Sequence, residues 1–268
     1  MRVSISNIAW DPPLDDEVAQ ILVAEGVDAI DVAPGKYVSI PDALPSELAA
    51  VRAAWGAHGI EIVGMQSLLY GSSGLSLFAS QESREALRER LLQVCRIGSG
   101  LGARQLVFGS PKNRHRSGIG AAEAHEIACE FFRSIGEGAG KHGVTILLEP
   151  NPAVYGTDFM TTTSETATVV RDVNHASIRL QLDLGAVAMN NEDAGALVSD
   201  HRDVIGHVHV SQPHLKPVDE CPSLIEASGP VKSVLTDRIA CIEMLTTDDP
   251  LIEIQRAVSF TSRAFGDS

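Results

Sequence analysis

The sequence predicts one domain, a single (β/α)8 barrel (TIM barrel) spanning residues 1–268. Three observations carry this prediction. Eight short β-rich runs alternate with longer amphipathic stretches, the pattern of βαβ units and a parallel sheet. The length of 268 residues suits a barrel, which needs about 250. Four residues of metal-ligating type, Glu149, Asp183, His209 and Glu243, stand near the ends of four successive runs at intervals of 34, 26 and 34 residues. One strand-and-helix unit takes roughly 30 residues, so these groups recur about once per unit and converge on one rim. A doubly wound open sheet is the alternative, and it explains less well why they fall on consecutive strand ends.

The strand candidates are 2–8, 27–32, 60–66, 104–108, 144–149, 178–183, 204–210 and 238–244. The stretch 45–59, PSELAAVRAAWGAHG, reads as a helix ending before the third strand. In 83–98, Leu87, Leu91, Val94 and Cys95 recur at helical spacing. The stretch 120–143 is a further helix, and Gly143 stands where it would stop before the fifth strand. Pro12-Pro13, Pro150-Asn151-Pro152 and Pro213 to Pro217 punctuate the loops that follow strands, the loops that line a barrel's active face.

Apolar residues make up 44% of the chain and aromatic residues 4%, so Ile, Leu, Val and Ala should dominate the core. A net charge of −14 argues against nucleic-acid or anionic-membrane partners, which need a positive surface. The four cysteines, Cys95, Cys129, Cys221 and Cys241, form no CxxC pair and suggest no disulfide framework. The segment MRVSISNIAWDPP lacks the charged-then-apolar form of a signal peptide. No apolar run approaches the roughly 20 residues of a membrane span. A cytoplasmic protein without membrane partners is expected.

Side chains two apart along a strand share a face. Leu147 with Glu149, Gln181 with Asp183, His207 with His209 and Cys241 with Glu243 should therefore point inward together, the second of each pair nearer the C-terminal rim. A lone Glu at a strand end is usually a loop or ion-pair residue. Three carboxylates at one register conflict unless a cation lies among them, because two would otherwise have strongly raised pKa values. Oxygen-rich ligation with one imidazole suits Mn2+ first, with Mg2+, Co2+ or Zn2+ as alternatives. Cys241 lies a layer deeper and reads as a small buried hydrophobe.

The segments LLEPNP, LDLGA, HVHVSQP and CIEML together resemble the xylose-isomerase-like (β/α)8 superfamily, over nearly the whole chain. That superfamily includes tagatose/psicose-type epimerases, sugar-phosphate isomerases and apurinic endonucleases. The resemblance implies a metal quartet of Glu149, Asp183, His209 and Glu243. It also implies that Glu149 and Glu243 move protons on opposite faces of a substrate carbon, through an enediolate held at the ion. Ala186 stands where many relatives have a substrate-contacting His, and Tyr155 where epimerases carry a carboxylate. Both departures point to another substrate or hydroxyl arrangement. Gln66 and Phe108 replace ligands of the three-zinc endonuclease branch, so DNA repair is not expected.

Further substrate contacts are expected from Lys112, Arg114 and His115 in the basic run GSPKNRHRSG, as an anchor for phosphate or carboxylate. Gln66, Lys216 and Trp10 are the other candidates, with His214 beside Lys216. Asp31 and Lys36 are expected to pair. Gly71 and Gly74 give the loop after strand three freedom to move, as an ordinary flexible loop or, alternatively, as a lid over the substrate. The expected activity is a divalent-metal-dependent sugar or sugar-phosphate isomerase or epimerase, as a homodimer or homotetramer. A lyase or dehydratase acting on a keto-sugar or inosose is the first alternative. A non-catalytic sugar- or metal-binding barrel is the second.

Overall fold

A computed structural model describes residues 1–40 and 42–267. Pro41 and Ser268, both within the predicted domain span, lie outside the described residues. Eight parallel strands close into a barrel in chain order. They are β1 (Arg2–Ser6), β2 (Ala29–Val32), β3 (Glu61–Met65), β4 (Gln105–Phe108), β5 (Thr145–Leu148), β6 (Ile178–Asp183), β7 (Ile205–Ser211) and β8 (Ile239–Glu243). β1 pairs with β8, which closes the ring and leaves no open edge. The predicted fold class is thus the observed one.

The outer layer is built from α1 (Asp15–Ala24), α2 (Pro45–Ala57), α3 (Gln81–Leu101), α4 (Ala121–Lys141), α5 (Thr163–Val173), α6 (Leu184–Asn190), α7 (Ala194–His201), α8 (Pro222–Val234) and α9 (Pro250–Phe265). Local chemistry sets their ends. Ser80 and Thr162 cap α3 and α5 by accepting from Ser83 N and Glu165 N. Glu47 reaches back to Leu44 N at the start of α2. Gly143 follows α4 with φ +65°, the left-handed turn that lets the chain reverse into β5. α3 buries Leu87, Leu91, Val94 and Cys95, the stripe its periodicity predicts. The crossover from β6 to β7 is split into two helices, because Asn191 turns left-handed (φ +53°) after α6. Among the described residues, no helix is long and apolar enough to cross a membrane.

The first strand is shorter than predicted. Residues Asn7–Ala9 leave the sheet as a 3-10 turn. This carries Trp10 outward, between α1 and α2, where it packs edge-on against Trp55 at 6.1 Å. Asn7 stays buried and accepts from Ala33 N at 2.7 Å. Asp31 and Lys36 do not pair. Asp31 is buried inside the barrel and accepts from Ser4 Oγ. Lys36 instead donates to the carbonyls of Asn7 and Trp10 and meets Asp11. The loop after β3 is only half free. Leu77 and Phe78 are buried, and Leu75 O and Leu77 N both bond Asn113 of the next loop. Tyr70 at its tip is 91% exposed.

Candidate metal centre

Register places the polar groups at the C-terminal end of the barrel. Asp183 stands beside His209, and Ser211 beside Glu243, on neighbouring strands. Glu149 follows directly on β5, and its N–H still bonds Phe108 O. Ligand atoms of Glu149, Asp183, His209 and Glu243 all lie within 4.8 Å of one another, and all four residues are buried. The structure therefore gathers the whole predicted quartet.

Each carboxylate is held in place by neighbours and turned towards the same imidazole nitrogen. Asn151 Nδ2 donates to Glu149 Oε2 at 3.2 Å, while Oε1 lies 2.9 Å from His209 Nδ1. Gln66 Nε2 donates to Glu243 Oε1 at 2.8 Å, while Oε2 lies 3.2 Å from the same nitrogen. Asp183 caps α6 through Ala186 N, accepts from Ser211 Oγ at 2.9 Å, and lies 3.8 Å from His209 Nδ1. Ser211 Oγ in turn accepts from Gly185 N. A Cβ at Gly109 would fall 2.4 Å from Glu149 Oε2, so only glycine leaves room for that carboxylate.

These contacts fit a divalent cation. Glu149 Oε1 and His209 Nδ1 are buried and close, yet neither finds a partner in hydrogen-bonding direction. Buried polar atoms without partners are costly and rare. Here the orphaned atoms converge on one point, with three oxygen donors and one nitrogen donor and no thiolate. Burial lowers the His209 pKa, but Glu243, Asp183 and Glu149 outweigh it and hold it well above the usual imidazole range. Burial raises the Glu243 pKa to about 7, with His209 opposing and Glu149 and Asp183 adding to the rise.

A second polar group lies deeper. Asp31, His207 and Cys241 bring ligand-type atoms within 4.8 Å of one another, and all are buried. Burial raises Asp31 to about 6 and pushes the Cys241 thiol far up. Burial and the nearby His209 hold His207 well below its usual value. A neutral His207 and an un-ionised thiol under the quartet match the deeper, core-filling role that strand alternation predicts.

Of the substrate contacts expected from sequence, Gln66 joins the centre, bonded to Glu243. Trp10 does not reach the mouth; it is fully buried and its Nε1 bonds Asp15. Arg114 is also fully buried and faces inward. Its guanidinium donates through Nη1 and Nη2 to the carbonyls of Phe159, Met160 and Glu149 and to Asn151 Oδ1, and Nε is left without a partner. Lys112, His115 and Lys216 are exposed and do not line the cavity above the centre. Arg116 is ion-paired with Asp158. The basic run thus puts no cation on the wall of this cavity, and its central Arg holds the next loop.

The cavity has a volume of about 310 Å³ and reaches Glu149, Asp183 and Glu243. Tyr155, Ala186 and His214 also line it. Tyr155 Oη accepts from His214 N at 3.1 Å, which ties the loops after β5 and β7 together. Asn151 and Ser211 escaped the sequence reading, although each stands two residues after a ligand. That spacing on an extended segment was the available signal. Gly109 gave no signal, since its need is a contact across strands.

A family model described as xylose isomerase-like TIM barrel matches residues 19–221. No curated protein matches the sequence. Solved structures of similar shape include D-psicose 3-epimerase with D-tagatose from Clostridium cellulolyticum H10, at 14% identity and TM-score 0.81, covering 100% of both chains. Another is the 3-keto-D-glucoside 4-epimerase of E. coli, at 14% identity and TM-score 0.80, covering 97% of this chain and 98% of that one. A third is the probable 3-DHS dehydratase of petrobactin synthesis from Bacillus anthracis, at 16% identity and TM-score 0.70, covering 96% and 97%. At such identities the likeness is one of fold. With three quarters of its length matched by that model, the chain belongs to the xylose isomerase-like TIM barrel family.

Proposed function

We propose that this chain is a divalent-metal-dependent isomerase or epimerase that moves a proton α to the carbonyl of a sugar. One observation carries the reading. Three carboxylates, each restrained by a neighbour, present oxygens to one point beside His209 Nδ1 at the floor of a cavity of about 310 Å³. Glu149, Asp183, His209 and Glu243 would hold the ion, with Mn2+ the best match to this donor set. When bound, the ion supplies charge stabilisation for a developing oxyanion.

Glu149 and Glu243 serve as the proton carriers. They rise from β5 and β8, three strands apart on the ring, and so approach a ligand between them from different sides. Glu243, a carboxylate on the cavity floor, can take or return a proton at a carbon facing it. Gln66 holds that carboxylate in position, and Asn151 does the same for Glu149. Asp183, held by Ser211 and Ala186, serves as a ligand only. The four free cysteines fit a reducing cytoplasmic setting.

A second reading, elimination from a keto-sugar, is favoured by His214. Its backbone is fixed at φ +62° and its ring lines the cavity, where it could protonate a leaving oxygen. Loss of water or of an aglycone from the product distinguishes this from epimerisation, which leaves mass unchanged.

Proton NMR in D2O tests the shared chemistry. The Mn2+-loaded protein should introduce deuterium next to the carbonyl of at least one member of a panel of ketoses and inososes. No exchange anywhere, with ion bound stoichiometrically, would instead support a non-catalytic binding barrel.

The two raised pKa values predict how the ion affects stability. A group whose pKa is raised on folding stabilises the fold below its unfolded pKa and loses that contribution as pH rises through the folded value. Glu243 therefore favours the ion-free fold at low pH and ceases to do so as pH passes about 7. His209 behaves in the same sense. An ion must displace these protons, so the gain in Tm on adding Mn2+ should grow between about pH 5 and 8, with about one or two protons released per ion near pH 6. Thermal melts with and without Mn2+, and calorimetry in buffers of differing ionisation enthalpy, measure both. A pH-independent gain with no proton release would contradict the assignment of these two groups.

A further inference from the structure

The outer part of the cavity differs in chemistry from its floor. Pro111, Pro152, Leu215 and Leu245 line it, alongside the ring of Tyr155. Leu245 is 51% exposed, and Val154 beside Tyr155 is 68% exposed. An apolar wall above a few convergent polar groups is the make-up of a small-molecule pocket. This rim is built rather than loose. Leu245 N donates to Leu215 O at 2.9 Å, joining the loops after β7 and β8. His214 and Leu215 both adopt positive φ, +62° and +53°, a conformation that costs energy in non-glycine residues and persists where surrounding contacts impose it. Ala186, a short side chain, leaves lateral space at the cavity wall.

Among the described residues, the rim also lacks the lysines and arginines that commonly bind a phosphate. Phosphate recognition relies on such cations or on free N–H groups at a helix start. The short turn after β7 begins with Pro213, which has no N–H. The loop after β8 carries Asp248 and Asp249, both exposed. With three carboxylates at the floor, a divalent ion leaves the local charge about −1, which repels a phosphate dianion.

We propose that the cavity takes a neutral, unphosphorylated keto-sugar bearing an apolar substituent, as in an aryl or alkyl glycoside whose free ketone stands at a ring carbon other than the anomeric one. The carbonyl end faces Glu149 and Glu243, and the substituent lies on the Leu215–Leu245 rim. This assignment rests on the proposed function and narrows its substrate class.

The test compares the phenyl and methyl glycosides of one hexose, each carrying a free ketone at a ring carbon other than the anomeric one, with a ketohexose 6-phosphate, by calorimetric titration of the Mn2+-loaded protein. The phenyl glycoside should bind about tenfold tighter than the methyl glycoside, and the phosphate weakest of the three. Leu245→Ser, at an exposed position, should bring the phenyl-to-methyl ratio close to one. The substrate class is overturned by a phosphate that binds as tightly as the phenyl glycoside. It is also overturned by equal binding of the two glycosides, by binding of neither, or by an unchanged ratio in Leu245→Ser. Deuterium exchange on the same ligands separates this from the underlying reaction. Exchange on a free ketose without phenyl preference leaves the reaction standing and removes the substrate class. Phenyl preference without exchange on any ligand does the reverse.

Discussion

Glu243→Gln is expected to lower turnover by about 10²- to 10⁴-fold, the usual worth of a positioned acid or base, while the protein stays folded and keeps part of its ion affinity. The amide is close in size to the carboxyl, so the buried site keeps its volume. Its oxygen can still accept from Gln66 Nε2, now 2.8 Å from Glu243 Oε1. It cannot take a proton from a carbon acid. The effect should fall on kcat rather than on ligand affinity, since the lost interaction belongs to the transition state. Asp183→Ala provides the contrast. That change removes a ligand, the acceptor for Ser211 Oγ and the cap of α6 together. Ion and activity should disappear in parallel. Deuterium exchange and metal analysis on both variants check the pair. Normal exchange in Glu243→Gln would end the two-carboxylate mechanism, and stoichiometric ion in Asp183→Ala would remove Asp183 from the centre.

Arg114→Ala should destabilise the protein by about 3–5 kcal/mol, the cost of breaking a buried charged network from one side. The side chain is fully buried and fills space between the loops after β4 and β5. Its loss strands the carbonyls of Glu149, Phe159 and Met160 and the Asn151 amide oxygen. Burial lowers its pKa to about 10, with Glu149 opposing, so the group is charged at neutral pH and its bonds are charge-assisted. For a chain of this size the change corresponds to a fall in Tm of roughly 6–20 °C. Arg114→Lys should rescue little, because one ammonium cannot reach four acceptors arranged around a planar fork. Ion affinity should also fall, since Glu149 and Asn151 are both held from this side chain. Thermal melts decide the matter, and a variant melting within a degree of the parent would show that the loops after β4 and β5 hold without this side chain.

The quartet was legible in the sequence because its causes are local and repetitive. Strand alternation fixes which side chains face inward, and the repeat length of one βα unit fixes how often a rim position recurs. Both can be read from spacing alone, and Glu149, Asp183, His209 and Glu243 obey both. Helix ends at Ser80, Thr162 and Gly143 were equally open to local reading. Local periodicity and a residue's own chemistry thus determined the barrel, its direction and the identity of its central polar groups. The orientation of loop side chains was decided only by tertiary structure. Trp10 left the mouth because β1 ends early and α2 offers Trp55 as a partner. Arg114 turned inward because carbonyls 35 to 46 residues away needed a donor. Gly109 is required only because Glu149, on the adjacent strand, crosses the space a Cβ would fill. The apolar rim arose when Leu215 and Leu245, 30 residues apart, were bonded across two loops. Such contacts depend on closure of the whole barrel, so no window of sequence contains both partners.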